Sequence, residues 1–207
     1  MKTKLKVCGM RQAANIAAVA ELQPDYLGFI FYQKSPRFIS EVSAELIKYV
    51  PSIIKTTGVF VDEEIQIVKQ YIIKYNLKAV QLHGKESAIY CQELKSTGVE
   101  VIKAFGIDEN FDFSSLESYL NEVDYFLFDT QTHAHGGSGK VFDWKLLEKY
   151  QFNKTYFLSG GIDLVHIETL KNINDPRLYA IDVNSKFELE PGLKDVEKLK
   201  EFFKEMK

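Results

Sequence analysis

The sequence predicts an α/β fold: one domain over residues 1–207, forming a single (β/α)8 barrel of the TIM type. Three observations predict it. Eight short apolar runs rich in Val, Ile, Phe and Tyr recur at fairly even intervals, as strands should. Their apolarity is nearly continuous, which suits strands covered on both faces in a parallel sheet. The stretches between them carry helical periodicity, and one strand plus one helix repeats roughly every 25 residues, so eight such units consume the chain. Right-handed crossovers between eight parallel strands then point to closure. An open doubly wound sheet is the alternative, but it would usually place a Gly-rich turn after the first strand. Only Val7-Cys8-Gly9-Met10 stands there. With 207 residues, against about 250 in a typical barrel of this kind, the chain has no room for a cofactor domain or a long lid.

The elements follow in order. The first strand is expected at residues 5–9 and the second at 26–31, after which Leu46, Ile47 and Val50 form a helical stripe. The third strand, 56–61, precedes Ile65, Val68, Ile72 and Ile73, which repeat at three- and four-residue steps with Glu and Lys on the other side. The fourth, 79–84, leads into a helix that holds Cys91 among apolar neighbours, the setting of a small buried hydrophobe. Strands five and six fall at 99–106 and 125–130. The seventh, 155–161, precedes Ile167 and Leu170. The eighth, 179–185, precedes a final helix with Val196, Leu199, Phe202 and Phe203 on one face.

Charge and cysteine content exclude several function classes. Lys and Arg number 26 and Asp and Glu 29, a formal net charge of -3. That argues against a nucleic-acid binder, whose affinity rests on an excess of basic groups, while leaving room for a local pocket for one small anion. Two cysteines, Cys8 and Cys91, cannot build a disulfide framework. No apolar run approaches the ~18 residues needed to span a bilayer, and no charged-then-apolar leader opens the chain. The expected setting is the reducing cytoplasm, with no membrane partner.

In a (β/α)8 barrel the chemistry belongs at the carboxyl ends of the strands, and the polar residues of this sequence sit there. Cys8 ends the first strand, Gln81 and His83 the fourth, Asp129 the sixth, Gly160-Gly161 the seventh and Asn184-Ser185 the eighth. Capping and turn chemistry accounts for some of them, but hardly for a thiol and a carboxyl together. Strand alternation puts Lys6 on the same face as Cys8, one layer deeper, and Asp182 should share that interior because first and eighth strands are neighbours in a closed barrel. A buried lysine needs a partner. A Lys6–Asp182 ion pair beneath the site is therefore expected, with Lys6 favouring the Cys8 thiolate.

Along its whole length the chain resembles the phosphoribosylanthranilate isomerases of tryptophan biosynthesis. The resemblance rests on Lys6-Val7-Cys8-Gly9, Gly28-Phe29-Ile30-Phe31-Tyr32 and Lys34-Ser35-Pro36-Arg37-Phe38-Ile39-Ser40. It continues through Gly58-Val59-Phe60-Val61, Val80-Gln81-Leu82-His83-Gly84, Ile102-Lys103-Ala104, Phe128-Asp129-Thr130 and Gly136-Gly137-Ser138-Gly139-Lys140. Phe142-Asp143-Trp144, Leu158-Ser159-Gly160-Gly161, Asp182-Val183-Asn184-Ser185, Pro191-Gly192 and Lys194-Asp195 complete it. No single motif settles the matter; their number and order do.

The resemblance implies an Amadori rearrangement of N-(5-phosphoribosyl)anthranilate, with Cys8 as general base and Asp129 as general acid. It further implies Arg37 as the clamp for the anthranilate carboxylate, through the planar fork that lysine lacks. Gln81 and His83 are expected to touch substrate. Gly160, Gly161 and Ser185 are expected around the phosphate, with Gly137 in a loop that covers the site. The chain departs from the commonest pattern at Asn184-Ser185-Lys186, where Ser-Ser-Gly is usual: left-handed backbone freedom is lost and a cation gained. No cofactor is expected, because the substrate's own nitrogen is the electron sink. No metal is expected either, since His83, His133 and His135 lack a carboxylate or thiol at a recognisable ligand spacing. The assembly is expected to be a monomer or homodimer. Two alternatives compete. One is another phosphosugar isomerase, such as a dual-substrate barrel using two carboxylates, against which Cys8 argues. The other is a catalytically silent phosphate-binding barrel, against which Cys8 and Asp129 together argue.

Overall fold

The structure, a computed structural model, describes residues 3–131 and 142–207. Eight parallel strands close on themselves in sequence order. They are β1 (Lys4–Val7), β2 (Tyr26–Ile30), β3 (Lys55–Phe60), β4 (Ala79–Leu82), β5 (Glu100–Ile107), β6 (Tyr125–Thr130), β7 (Tyr156–Leu158) and β8 (Leu178–Val183). The predicted barrel is thus the observed one. Closure is made by β1 against β8, where Lys6 pairs with Asp182 and Val7 with Val183.

The outer layer holds α1 (Ala13–Glu21), α2 (Glu41–Ala44), α3 (Ile65–Lys74), α4 (Ala88–Lys95), α5 (Ile167–Lys171) and α6 (Val196–Met206). Side-chain oxygens cap several of them, Ser87 on α4 and Asp195 on α6, each accepting from a backbone N–H of the first turn. Leu46 and Ile47 of the stripe belong to a 3-10 turn, Glu45–Tyr49, that continues α2, and Val50 caps it. Two crossovers depart from the expected strand-plus-helix unit. After β5 and after β6 the described residues form only 3-10 turns, Phe113–Tyr119 and Trp144–Lys149. An Asp side chain caps each, Asp112 and Asp143, and aromatic packing covers the barrel wall in place of a helical stripe. Phe113 lies 6.1 Å from Phe128 and 6.0 Å from Tyr150, ring centre to ring centre. A two-stranded antiparallel hairpin, β9 (Glu188–Glu190) and β10 (Leu193–Lys194), follows the eighth strand, turning at Gly192 with φ +87.

Side chains of alternate parity fill the barrel interior: Tyr26, Ala79, Ile102, Ala104, Leu127, Phe157 and Ala180 form a closed apolar cluster. The other parity packs outward against the helices in a larger cluster that includes buried Cys91. Among the described residues no helix is long and apolar enough to cross a membrane.

Candidate active site

Each expected strand run overshoots its strand at the carboxyl end, except the fifth and sixth, and the overshoot is where the site lies. Cys8, His83, Gly160, Gly161 and Ser185 stand just beyond β1, β4, β7 and β8, and Asp129 is the penultimate residue of β6. They line one cavity, together with Gln81, Asp182, Asn184, Lys186 and an apolar wall of Ile30, Val59, Val61 and Ile162.

Cys8 is buried. Its slot exists because β2 carries Gly28 alongside: a Cβ at that position would meet the Cys8 Sγ at 2.7 Å. Burial pushes the thiol above its ordinary range, and Asp182 adds to that; the ammonium groups of Lys6 and Lys194 pull the other way. Lys6 reaches Asp182 Oδ2 at 2.9 Å, with both side chains buried. The ion pair expected from strand alternation is therefore present, and the Lys6 charge favours the thiolate. Its direction on Cys8 is as expected, but burial outweighs it. The other oxygen of Asp182, Oδ1, is buried with no hydrogen-bond partner among the described residues.

Asp129 lies across the cavity. Burial raises its carboxyl to about 6, against the Thr130 N–H, which donates to Oδ1 at 2.7 Å, and the more distant Lys6. His83 Nε2 is 3.5 Å from Asp129 Oδ2. Burial, and the charges of Lys103 and Lys6, hold the imidazole down at about 4, so it is neutral near pH 7. Gln81 links the two halves. Its Oε1 accepts from Lys6 Nζ at 2.8 Å, and its Nε2 is 3.0 Å from His83 Nδ1.

Gly160 and Gly161 both take positive φ, +94 and +67. Successive backbone N–H groups in such a turn form an anion-binding concavity. Gly160 has a second reason to lack a side chain: a Cβ there would lie 2.9 Å from Asp129 Oδ1 and against Thr130. Ser185 opens a 3-10 turn, Ser185–Phe187, at the same rim, and Lys186 lines the cavity beside it. Gly137, the whole Gly136–Lys140 motif, His133 and His135 lie outside the described residues.

Arg37 sits beside the first loop, its Cδ 2.8 Å from where a Gly9 Cβ would be. Its Nε and Nη2 are gripped by Glu188, at 3.0 and 2.7 Å. Among the described residues that leaves the Nη1–Nη2 end of the fork uncommitted. Glu188 also accepts from Lys194 Nζ at 2.7 Å, and burial brings that lysine down to about 8. This Arg37–Glu188–Lys194 group was not anticipated. Nor was the buried Lys103–Glu86 pair, 3.1 Å apart on the outer side of β5. A lysine inside the apolar run Val101-Ile102-Lys103-Ala104 was the available signal for it. Among the described residues no group of His, Cys, Asp or Glu could hold a metal ion.

The family model for N-(5'phosphoribosyl)anthranilate (PRA) isomerase matches residues 5–205. A protein named N-(5'-phosphoribosyl)anthranilate isomerase from Parabacteroides distasonis is 43% identical, covering 98% of this chain and 92% of the relative. The crystal structure of phosphoribosyl anthranilate isomerase from Thermotoga maritima superposes with a TM-score of 0.85 at 34% identity, over 99% of this chain and 98% of that one. A further solved phosphoribosyl anthranilate isomerase, in complex with reduced 1-(o-carboxyphenylamino)-1-deoxyribulose 5-phosphate, gives 0.81 at 31% identity over the same shares. A thiol and a raised carboxyl facing one cavity of a closed eight-stranded barrel, and a family match over nearly the whole length, lead to one conclusion: this chain belongs to the N-(5'-phosphoribosyl)anthranilate isomerase family.

Proposed function

We propose that this protein isomerises N-(5-phosphoribosyl)anthranilate to 1-(2-carboxyphenylamino)-1-deoxyribulose 5-phosphate, an Amadori step of tryptophan biosynthesis, with Asp129 as general acid and Cys8 as general base. The observation that carries the reading is that Cys8 and Asp129 face one cavity at the carboxyl end of the barrel. Asp129 protonates the furanose ring oxygen, the C1–O bond breaks, and the nitrogen lone pair forms the Schiff base. Cys8 thiolate then removes the proton from C2, the electrons move to the iminium nitrogen, and the enolamine tautomerises to the ketone. A carboxyl raised to about 6 suits the first step, because more of it stays protonated near neutral pH than of an ordinary aspartate.

Binding groups surround these two. The Gly160–Gly161 turn, with Ser185 and Lys186, supplies backbone, hydroxyl and ammonium donors for the phosphate. Asp182 Oδ1 is an acceptor without a partner among the described residues, available to a sugar hydroxyl. Arg37, gripped from one side by Glu188, offers the other end of its fork to the anthranilate carboxylate. His83 and Gln81 face the reacting atoms. A thiol base fits a reducing compartment, so the cytoplasm is the proposed location, with the chain acting as a monomer or homodimer.

The test is a fluorescence assay on freshly made phosphoribosylanthranilate. Cys8→Ala and Asp129→Asn should each abolish turnover while circular dichroism and thermal melting stay near those of the parent. Activity close to the parent in a folded variant removes that residue from the mechanism.

A further inference from the structure

The cavity holds more polar machinery than the proton transfers require, and its parts are ordered. Lys6 has only protons to give. At 2.8 Å from Lys6 Nζ, the Gln81 oxygen must be the accepting end of the amide, which fixes the amide's orientation. The Gln81 nitrogen is then a donor, and it stands 3.0 Å from His83 Nδ1. A ring nitrogen facing an N–H donor must present its lone pair. The single proton of the neutral imidazole is therefore on Nε2, and Nε2 is the atom 3.5 Å from Asp129 Oδ2. Asp182, 2.9 Å from Lys6 on its other side, anchors the start of the chain.

We propose that Gln81 and His83 are positioning residues: the polar chain from Lys6 through Gln81 locks His83 as the Nε2–H tautomer and aims that donor at Asp129. The proposal rests on the reading of Cys8 and Asp129 as base and acid, and it adds that one ammonium group governs both. Lys6 acts on the thiol through its charge and sets the environment of the carboxyl through two side chains. The locked tautomer has two effects on Asp129. First, the imidazole cannot take the acid's proton, because Nε2 already carries one and the Nδ1 lone pair is occupied by Gln81. That proton is left for the sugar ring oxygen. Second, once the proton has gone, the new carboxylate meets a donor on each oxygen: Thr130 N–H on Oδ1 at 2.7 Å, and His83 Nε2–H on Oδ2. A contact of 3.5 Å is long for a hydrogen bond, and catalytic contacts of this kind often tighten in the Michaelis complex. The charges that bear on His83 support a neutral ring: Lys103 from β5 and Lys6 from β1 oppose protonation and outrank Asp182 of β8 and Glu86 of the β4–α4 loop, while Asp129 faces it from β6.

The reversal experiment is Gln81→Glu. Glutamate still accepts from Lys6, so the buried ammonium stays satisfied and the fold is kept, but the atom facing His83 Nδ1 becomes an acceptor. With 15N-labelled imidazole, long-range NMR correlations should show His83 protonated at Nε2 in the parent near pH 7 and at Nδ1 in Gln81→Glu. In the folded variant kcat and kcat/KM should fall together by roughly tenfold or more, the pattern of an interaction made only in the transition state. A parent ring protonated at Nδ1 overturns the proposal, as does a folded Gln81→Glu with an unchanged tautomer or with parental kcat. The tautomer is read without turnover. Failure of the Cys8 and Asp129 assignments, seen in the alanine and asparagine variants, is therefore distinguishable from failure of the chain.

Discussion

Cys8 and Asp129 titrate in the opposite order from the one their proposed roles would suggest. The acid lies near 6, while the base is pushed above the ordinary thiol range. The productive form, neutral Asp129 with ionised Cys8, is then a minor species at neutral pH. Below about 6, kcat/KM should fall, because Asp129 is already protonated and further acid only drains thiolate. Above the thiol pKa it should fall again, because Cys8 is fully ionised and base only drains the acid form. Between the two limbs the changes cancel and the profile is flat. Lys6→Met removes the charge that most favours the thiolate, so the alkaline limb and the pH midpoint of iodoacetamide alkylation should both move upward. An unmoved alkylation midpoint dismisses Lys6 as the tuning group. Much at this scale was legible in the sequence. Alternation along a strand is strict, so Lys6 beneath Cys8 and opposite Asp182 followed from parity and barrel closure alone. The grip of Glu188 on both Arg37 and Lys194 was not legible, because it depends on how a three-residue turn and a hairpin bring residue 188 back over the first loop. No periodicity encodes that.

Strands carried most of the legible information, and crossovers less. All eight apolar runs start within one residue of their strands, because a strand buried on both faces must be apolar throughout. The runs overshot by two or three residues at β1, β4, β7 and β8, where the chain continues past the last ladder bond into cavity-lining residues such as Cys8, His83, Gly160 and Ser185. The crossovers after β5 and β6 were expected as helices but are covered by 3-10 turns and aromatic rings among the described residues, a case of tertiary packing overriding local periodicity. At this scale one glycine has a sharp test. Gly28 of β2 leaves the space that the Cys8 sulfur fills at the end of β1. A Cβ there would lie 2.7 Å from Sγ and 3.1 Å from the Cys8 Cα, so the strands must part or the thiol must turn away. Gly28→Ala should lower kcat by roughly 10²-fold, the cost of a reacting group displaced by about 1 Å. It should also destabilise the protein by about 1–3 kcal/mol as an overpacked core site. Steady-state kinetics and urea unfolding read the two effects separately, and parental kcat would show that the thiol is not confined by β2.

The whole molecule divides function from stability along the barrel axis. The carboxyl ends of the strands hold the titratable groups that face one another across the cavity. The opposite end is closed by Tyr26, Tyr125, Phe157 and Tyr179, with Phe157 ring centres 5.2 Å from Tyr26 and 5.4 Å from Tyr125. Phe157→Ala should cost about 3–5 kcal/mol in unfolding free energy and leave KM unchanged. A large rise in KM would mean that the two ends are coupled. The division also bears on how the molecule comes into being. Lys6 and Asp182 are 176 residues apart in sequence, yet they share one buried hydrogen bond. Such a contact has nearly the largest loop-closure cost the chain can present, and it forms only when the first and last strands meet. A nascent chain leaving the ribosome from its N-terminus carries Lys6 exposed and hydrated until almost everything else has been synthesised. The charge arrangement proposed to tune the thiol is thus among the last features to assemble, and a chain stalled one strand short of closure would have most of a barrel and no tuned base.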